Sequence, residues 1–172
     1  MNVKDLFSDN GLAIQQTSFT CGPVALLNAL HLKGDFSRTE EELAKLCDAK
    51  AKFGTTEENL VKAARTVGLE LVEEKSNATV EDIQRNIDNG AYVIICYTNA
   101  FSGNGHYTCV TEYDDRALYC RDPALGFLRL SKEYLEKFWH GSMDASHGSN
   151  RWLWRLSSSK FWTGTLSRQS SG

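Results

Sequence analysis

The chain has 172 residues, enough for one domain with a sizeable core and too few for two comfortable ones. An apolar fraction of 41% and a charged fraction of 24% are those of an ordinary soluble globular protein, and 22 acidic against 19 basic residues leave no basic footprint for nucleic acid. The five cysteines, Cys21, Cys47, Cys96, Cys109 and Cys120, contain no CxxC pair and are odd in number, so neither a disulfide framework nor a thiolate zinc site is expected. His31, His140 and His147 have no ligand-like spacing with them, and no metal or cofactor is implied. The first residues, MNVKDLFSDNG, lack the apolar run and cleavage site of a Sec-type signal, and no stretch is long enough for a membrane span. A chain kept whole is expected, either cytoplasmic or exported by a route that needs no such signal.

In chain order, a short helix or turn is expected around Lys4 to Ser8, followed by an extended approach through Leu12 and Ile14. The segment QQTSFTCGPVALLNAL then runs from polar residues into Val24, Leu27, Ala29 and Leu30 at helical spacing, which puts Cys21 at a helix start. Gly34 makes a turn, Thr39 with Glu42 opens a second helix by a capping box, and Thr55 with Glu58 opens a third, stopped by Gly68. A brief strand follows around Leu69 and Leu71, then a helix from Asn77 or Thr79 to Asn89 and Gly90. From there the pattern turns to strands: AYVIICY, HYTCVTEY, ALYCRD ended by Pro123, and a run through Phe127 to Leu130. Ser131 caps the helix KEYLEKFW, and RWLWRL closes the sheet with Trp152 and Trp154 as packing residues. An α+β fold is expected, with an N-terminal helical half packed on a C-terminal antiparallel sheet. Residues 1–160 form one catalytic domain in this reading, with 161–172 a loosely ordered tail anchored at most by Phe161 and Trp162.

Cys21 is the candidate nucleophile, because the unpaired N–H groups and dipoles of a helix start favour a negatively charged sulfur. The competing reading is a small buried hydrophobe. Pro23 fits a first helical turn, and Gly22 admits close approach to the sulfur. If 106–113 pairs with 116–122 through a turn at Asp114 and Asp115, His106 falls opposite Asp122 or its neighbour. An acid there would hold one imidazole nitrogen protonated while the other faces a thiol. Gln15, six residues before Cys21, could join the Cys21 N–H as an oxyanion donor. Phe101, Asn104, Gly105 and Tyr107 would line the cleft, with an ordinary loop or strand role as the alternative for each.

The set Gln15, Cys21-Gly22-Pro23, Gly105-His106-Tyr107 and Arg121-Asp122-Pro123 resembles the papain-like peptidases that process bacteriocins after a double glycine. That resemblance spans roughly residues 12 to 130 and implies a papain-like fold with Cys21, His106 and Asp122 as catalytic triad and Gln15 in the oxyanion hole. A peptide or protein substrate is implied, cleaved as by a peptidase or isopeptidase. The same fold and acyl-enzyme also serve protein glutamine deamidases and acyl transferases, among them secreted effectors or toxins, and inactive peptide-binding domains. Thr20 stands where the family usually has Asp, and no transporter portion accompanies the domain, which separates this chain from the family's double-glycine substrates more than from its fold.

Overall fold

The computed structural model describes residues 11–75, 78–139 and 153–158, with the backbone alone in 71–75 and 153–158. The expected turn at Lys4 to Ser8, and Trp152, Phe161 and Trp162, lie outside the described residues. Among the described residues three helices come first: α1 (Cys21–Leu32), α2 (Glu40–Leu46) and α3 (Glu57–Thr66). They are followed by β1 (Leu69–Lys75), α4 (Val80–Asp88), β2 (Tyr92–Thr98), β3 (Gly105–Tyr113), β4 (Ala117–Asp122), β5 (Gly126–Ser131), α5 (Lys132–Phe138) and β6 (Leu153–Ser158).

The caps explain where these helices begin. Thr39 and Glu42 exchange side-chain and backbone bonds in a capping box at α2, and Thr79 does the same with Asp82 at α4. At α3 the cap is Thr56, which accepts from the Asn59 N–H, and not the expected Thr55. Thr55 is buried instead, with its carbonyl accepting the Tyr107 hydroxyl at 3.3 Å. Gly68 ends α3 in the left-handed region at φ 78°, where its N–H reaches the Arg65 carbonyl.

All six strands join one antiparallel sheet in the order β1-β6-β2-β3-β4-β5. From RWLWRL, the described part beginning at Leu153 is therefore in an interior strand, β6, paired on both sides, where a closing position is expected from the sequence. Side chains alternate across the sheet and make two cores. On one face Ile94, Cys96, Tyr107 and Cys109 pack against α1 and α3. On the other, Val93, Ile95, Val110, Leu118 and Leu130 pack against Ile83 of α4 and Leu135 of α5. The helical half does cover the sheet as expected, and two later helices cover its back.

Every residue of α1 from Cys21 to Leu30 is buried, so the helix lies inside the first core with no solvent face. Its one buried amide, Asn28, is satisfied by the chain ahead of it: the Ala13 N–H donates to Asn28 Oδ1 at 2.8 Å, and Asn28 Nδ2 donates to the Ala13 carbonyl at 3.1 Å. This pairing fastens the extended segment before α1 to the helix itself. Among the described residues no helix is long and apolar enough to cross a membrane.

Candidate active site

Cys21 is the first residue of α1, and His106 is the second of β3. Asp122 ends β4. The β3–β4 register differs from the simple hairpin expected. Asp114 Oδ1 accepts the Arg116 and Ala117 N–H groups in a wider turn, and a shift between Val110 and Glu112 leaves Thr111 unpaired. Cys109 consequently faces Arg121, and continuing that register puts Thr108 beside Asp122. His106 therefore lies one diagonal step from the acid, on the same face of the sheet, and not directly opposite.

That diagonal suits a ring-to-carboxylate contact. His106 Nε2 lies 3.0 Å from both Asp122 Oδ1 and Asp122 Oδ2, with Asp122 fully buried and His106 at 8% exposure. The Ala124 and Leu125 N–H groups donate to Oδ1 at 2.9 and 3.0 Å, so the turn after Pro123 aims the carboxylate. Tyr97 donates its hydroxyl to Oδ2 at 3.2 Å and meets the His106 ring edge-on at 5.5 Å. With Nε2 engaged by the acid, Nδ1 is left for Cys21, with which His106 shares a side-chain hydrogen bond.

The charges follow from these contacts. Burial by itself would lower the His106 pKa, but the hydrogen bonds with Asp122 and Cys21 outweigh it and push the value up to about 9. Burial would raise Asp122, and the bonds from His106, Ala124 and Leu125 reverse this and hold it below the ordinary carboxylate value. An imidazolium held by a buried carboxylate thus faces the sulfur at neutral pH. Burial pushes the thiols of Cys47 and Cys109 up to about 12 and those of Cys96 and Cys120 up as well, so these four are poor nucleophiles. All five cysteines are free.

Gln15 is brought to the same place by backbone contacts. Its N–H donates to the Pro123 carbonyl at 2.8 Å, tying the segment before α1 to the residue after the acid. Its Nε2 donates to the Thr17 carbonyl at 2.6 Å, which orients the amide and leaves the second Nε2 hydrogen for another acceptor.

Gly22 and Tyr107 are placed differently from the reacting groups. A Cβ on Gly22 would come within 3.1 Å of the Thr55 Cβ and 3.3 Å of Tyr107 Cδ2, so this glycine lets α1 settle onto its neighbours. Tyr107 is buried on the sheet face opposite His106, as alternation along a strand requires. Asn104 and Gly105 lie at the head of β3, with the Asn104 carbonyl accepting the Asn99 N–H. Phe101 is fully exposed at the rim of an apolar hollow of about 320 Å³ that Tyr97, Leu125 and Tyr134 also line. Among the described residues no cluster of His, Cys, Asp and Glu is arranged to hold a metal ion.

Sequence reasoning missed Tyr97, read only as part of a buried strand. Its cross-strand partner in β2–β3 is His106, a pairing that no local pattern in AYVIICY announces.

The match to known proteins agrees with this geometry. Residues 10–144 match the model of the Peptidase C39 family. The chain is 29% identical over 142 residues to an uncharacterised protein of Methanothermobacter marburgensis, covering 83% of this chain and 92% of that one. In fold it resembles the peptidase domain of Streptococcus ComA, a bi-functional ABC transporter involved in a quorum sensing pathway, with TM-score 0.65 at 21% identity over 87% of this chain and 98% of that one. It also resembles a double glycine motif protease from an AMS/PCAT transporter, solved with the leader peptide, with TM-score 0.57 at 19% identity over 85% and 91% of the two chains.

Proposed function

The chain belongs to the Peptidase C39 family, and from that premise we propose that it is a cysteine peptidase or isopeptidase that cleaves a peptide or protein substrate through an acyl-enzyme. The observation that carries this reading is the line of contacts from Asp122 through His106 to Cys21, with the imidazole charged at neutral pH. Residues 1–160 act as the single catalytic domain in this proposal, and Cys21, His106, Asp122 and Gln15 do the chemistry.

The Cys21 sulfur attacks the scissile carbonyl carbon, and the carbonyl electron pair moves onto oxygen. The Cys21 N–H and the free Gln15 Nε2 hydrogen donate to that oxyanion. Collapse of the intermediate breaks the C–N bond while His106 gives its proton to the departing amine. His106, now neutral, takes a proton from water, which attacks the thioester; the C–S bond breaks, releasing the acid product and leaving the Cys21 thiolate beside the recharged imidazolium. Asp122 keeps the ring oriented in both halves, and Tyr97 and the two backbone N–H groups keep Asp122 oriented. Asn104 and Gly105 flank the substrate at the head of β3, and the hollow beside Tyr97 receives an apolar side chain.

Brief iodoacetamide treatment near neutral pH, read by peptide mass spectrometry, tests the nucleophile. Cys21 should be labelled far ahead of Cys47 and Cys109, and His106→Ala should remove that advantage. Equal labelling of all three defeats the proposal. Peptides carrying Gly-Gly, the motif named for the transporter protease, are the first substrates to assay. A product about one dalton heavier with the chain uncut would favour deamidation instead.

A further inference from the structure

We propose that Glu40, at the start of α2 and more than a dozen residues from any reacting group in the chain, is the positioning residue that sets the oxyanion hole. This rests on the reading of Gln15 and the Cys21 N–H as the oxyanion donors. The Glu40 carboxylate grips both ends of the loop between them. The Gln16 N–H donates to Oε1 at 3.0 Å and Oε2 at 3.1 Å, and the Thr20 hydroxyl donates to Oε1 at 2.6 Å.

The hydroxyl of Thr20 has one proton and three oxygens within reach: Glu40 Oε1, the Thr17 carbonyl at 3.1 Å and Thr17 Oγ1 at 2.9 Å. The carboxylate is the nearest and the strongest acceptor, so the proton goes there. Thr20 Oγ1 then accepts from the Thr17 hydroxyl, and the Thr17 carbonyl is left to hold Gln15 Nε2. One carboxylate thereby fixes the order of donors along the whole loop, down to the Gln15 amide held by the Thr17 carbonyl.

The same contact keeps the helix start open. Thr20 is the N-cap of α1 and makes no side-chain cap bond. A threonine in that place ordinarily turns its oxygen onto a first-turn N–H. Here Glu40 draws it outward and Pro23 has no N–H to offer, so the Gly22 N–H next to the Cys21 donor is left uncapped and the Thr20 side chain stays clear of the helix mouth. Thr20 is itself buried, at 3% exposure, so its hydroxyl depends on this partner in place of water.

The test separates the sulfur from the hole. Alkylation by iodoacetamide needs the Cys21–His106 pair but forms no oxyanion, whereas a peptide aldehyde, acetyl-Gly-glycinal, adds to the sulfur and places an oxygen in the hole. Protection of Cys21 from iodoacetamide by the aldehyde gives its affinity. Glu40→Ala should weaken the aldehyde about 10-fold, less than the loss of a whole oxyanion donor, while alkylation without aldehyde changes less than about twofold. Glu40→Gln keeps an acceptor oxygen for Thr20 and should fall between. Wild-type aldehyde affinity in Glu40→Ala overturns the proposal. If that variant loses alkylation too, Thr20→Val decides: selective loss of aldehyde affinity supports the proposal, and unchanged affinity or loss of both overturns it. A wild-type protein whose Cys21 is not selectively alkylated refutes the peptidase reading itself, and one that alkylates without aldehyde protection refutes the oxyanion assignment and this proposal with it.

Discussion

Helices α1 and α4 both begin on a threonine, and the two threonines act in opposite ways. At α4, Thr79 Oγ1 accepts the Asp82 N–H at 3.2 Å, and Asp82 Oδ2 accepts the Thr79 N–H at 2.9 Å, so the first turn is closed. At α1, Thr20 gives its hydroxyl to Glu40 and leaves the first turn uncapped around Cys21. The closed end contributes stability, about 1 kcal/mol for a typical cap. The open end forgoes that contribution and keeps a backbone donor beside a sulfur. A helix start is thus a structural joint or a chemical site according to where one side chain sends its hydrogen bond.

The comparison predicts effects of decreasing size. The open end is useful only opposite a charged imidazole, so Asp122→Asn should lower peptide cleavage most, by about 10³-fold or more, measured as kcat/KM. It should also remove a pH-dependent stability. The raised pKa of His106 contributes stability that is complete below its ordinary value of 6.5 and is lost as pH rises through about 9. The depressed pKa of Asp122 contributes stability that is present above its ordinary 3.8 and is lost as pH falls through the lower folded value. The difference in Tm between wild type and Asp122→Asn should therefore be largest between about pH 3.8 and 6.5, and shrink towards pH 9 and at more acidic pH. A gap that grows in that interval contradicts the ion pair.

Gln15→Ala comes next, with kcat down about 10²-fold and KM little moved, since the amide meets charge only in the transition state. A change confined to KM would show that Gln15 binds substrate and does not stabilise the oxyanion. Tyr97→Phe should cost about 10-fold in kcat through a less firmly held Asp122. It should also move the alkaline limb of the rate profile upward, because a carboxylate with one donor fewer holds the imidazolium proton more tightly. Thr79→Ala is the smallest in activity and the direct contrast to Thr20: stability should fall by about 1 kcal/mol in denaturant titration with turnover unchanged. Loss of turnover in that variant would show that α4 reaches the site.

Much of this site is legible in the chain. Cys21, His106 and Asp122 stand out because each carries a chemical type that the mechanism needs, at a helix start or a strand end where the backbone can aim it, and Gln15 stands out by its place six residues before Cys21. The capping box at Thr39 is legible for the same reason, since it is a contact three residues long, and of the two starts expected for α4, Asn77 and Thr79, the structure has Thr79 as the cap. The third cap is assigned one residue early, at Thr55 in place of Thr56, because Thr55 has Glu58 three residues on where Thr56 has Asn59, and only the burial of Thr55 against Tyr107 overrides that local pattern. The expected hairpin register fails at the turn, where Tyr113 pairs with Leu118 and not with Arg116; the irregularity at Thr111 recovers one residue of that offset and leaves His106 and Asp122 diagonal neighbours on one face.

The sequence by itself determined which residues could react and the order in which they lie along the chain, because those depend on functional groups and on local backbone preference. Only the tertiary structure decided which of them support the others. Tyr97 reaches Asp122 across 25 residues, and Glu40 reaches Gln16 across 24 and Thr20 across 20. Contacts over such separations are set by sheet register and helix packing, which depend on the whole core at once and leave no mark in any short stretch of sequence.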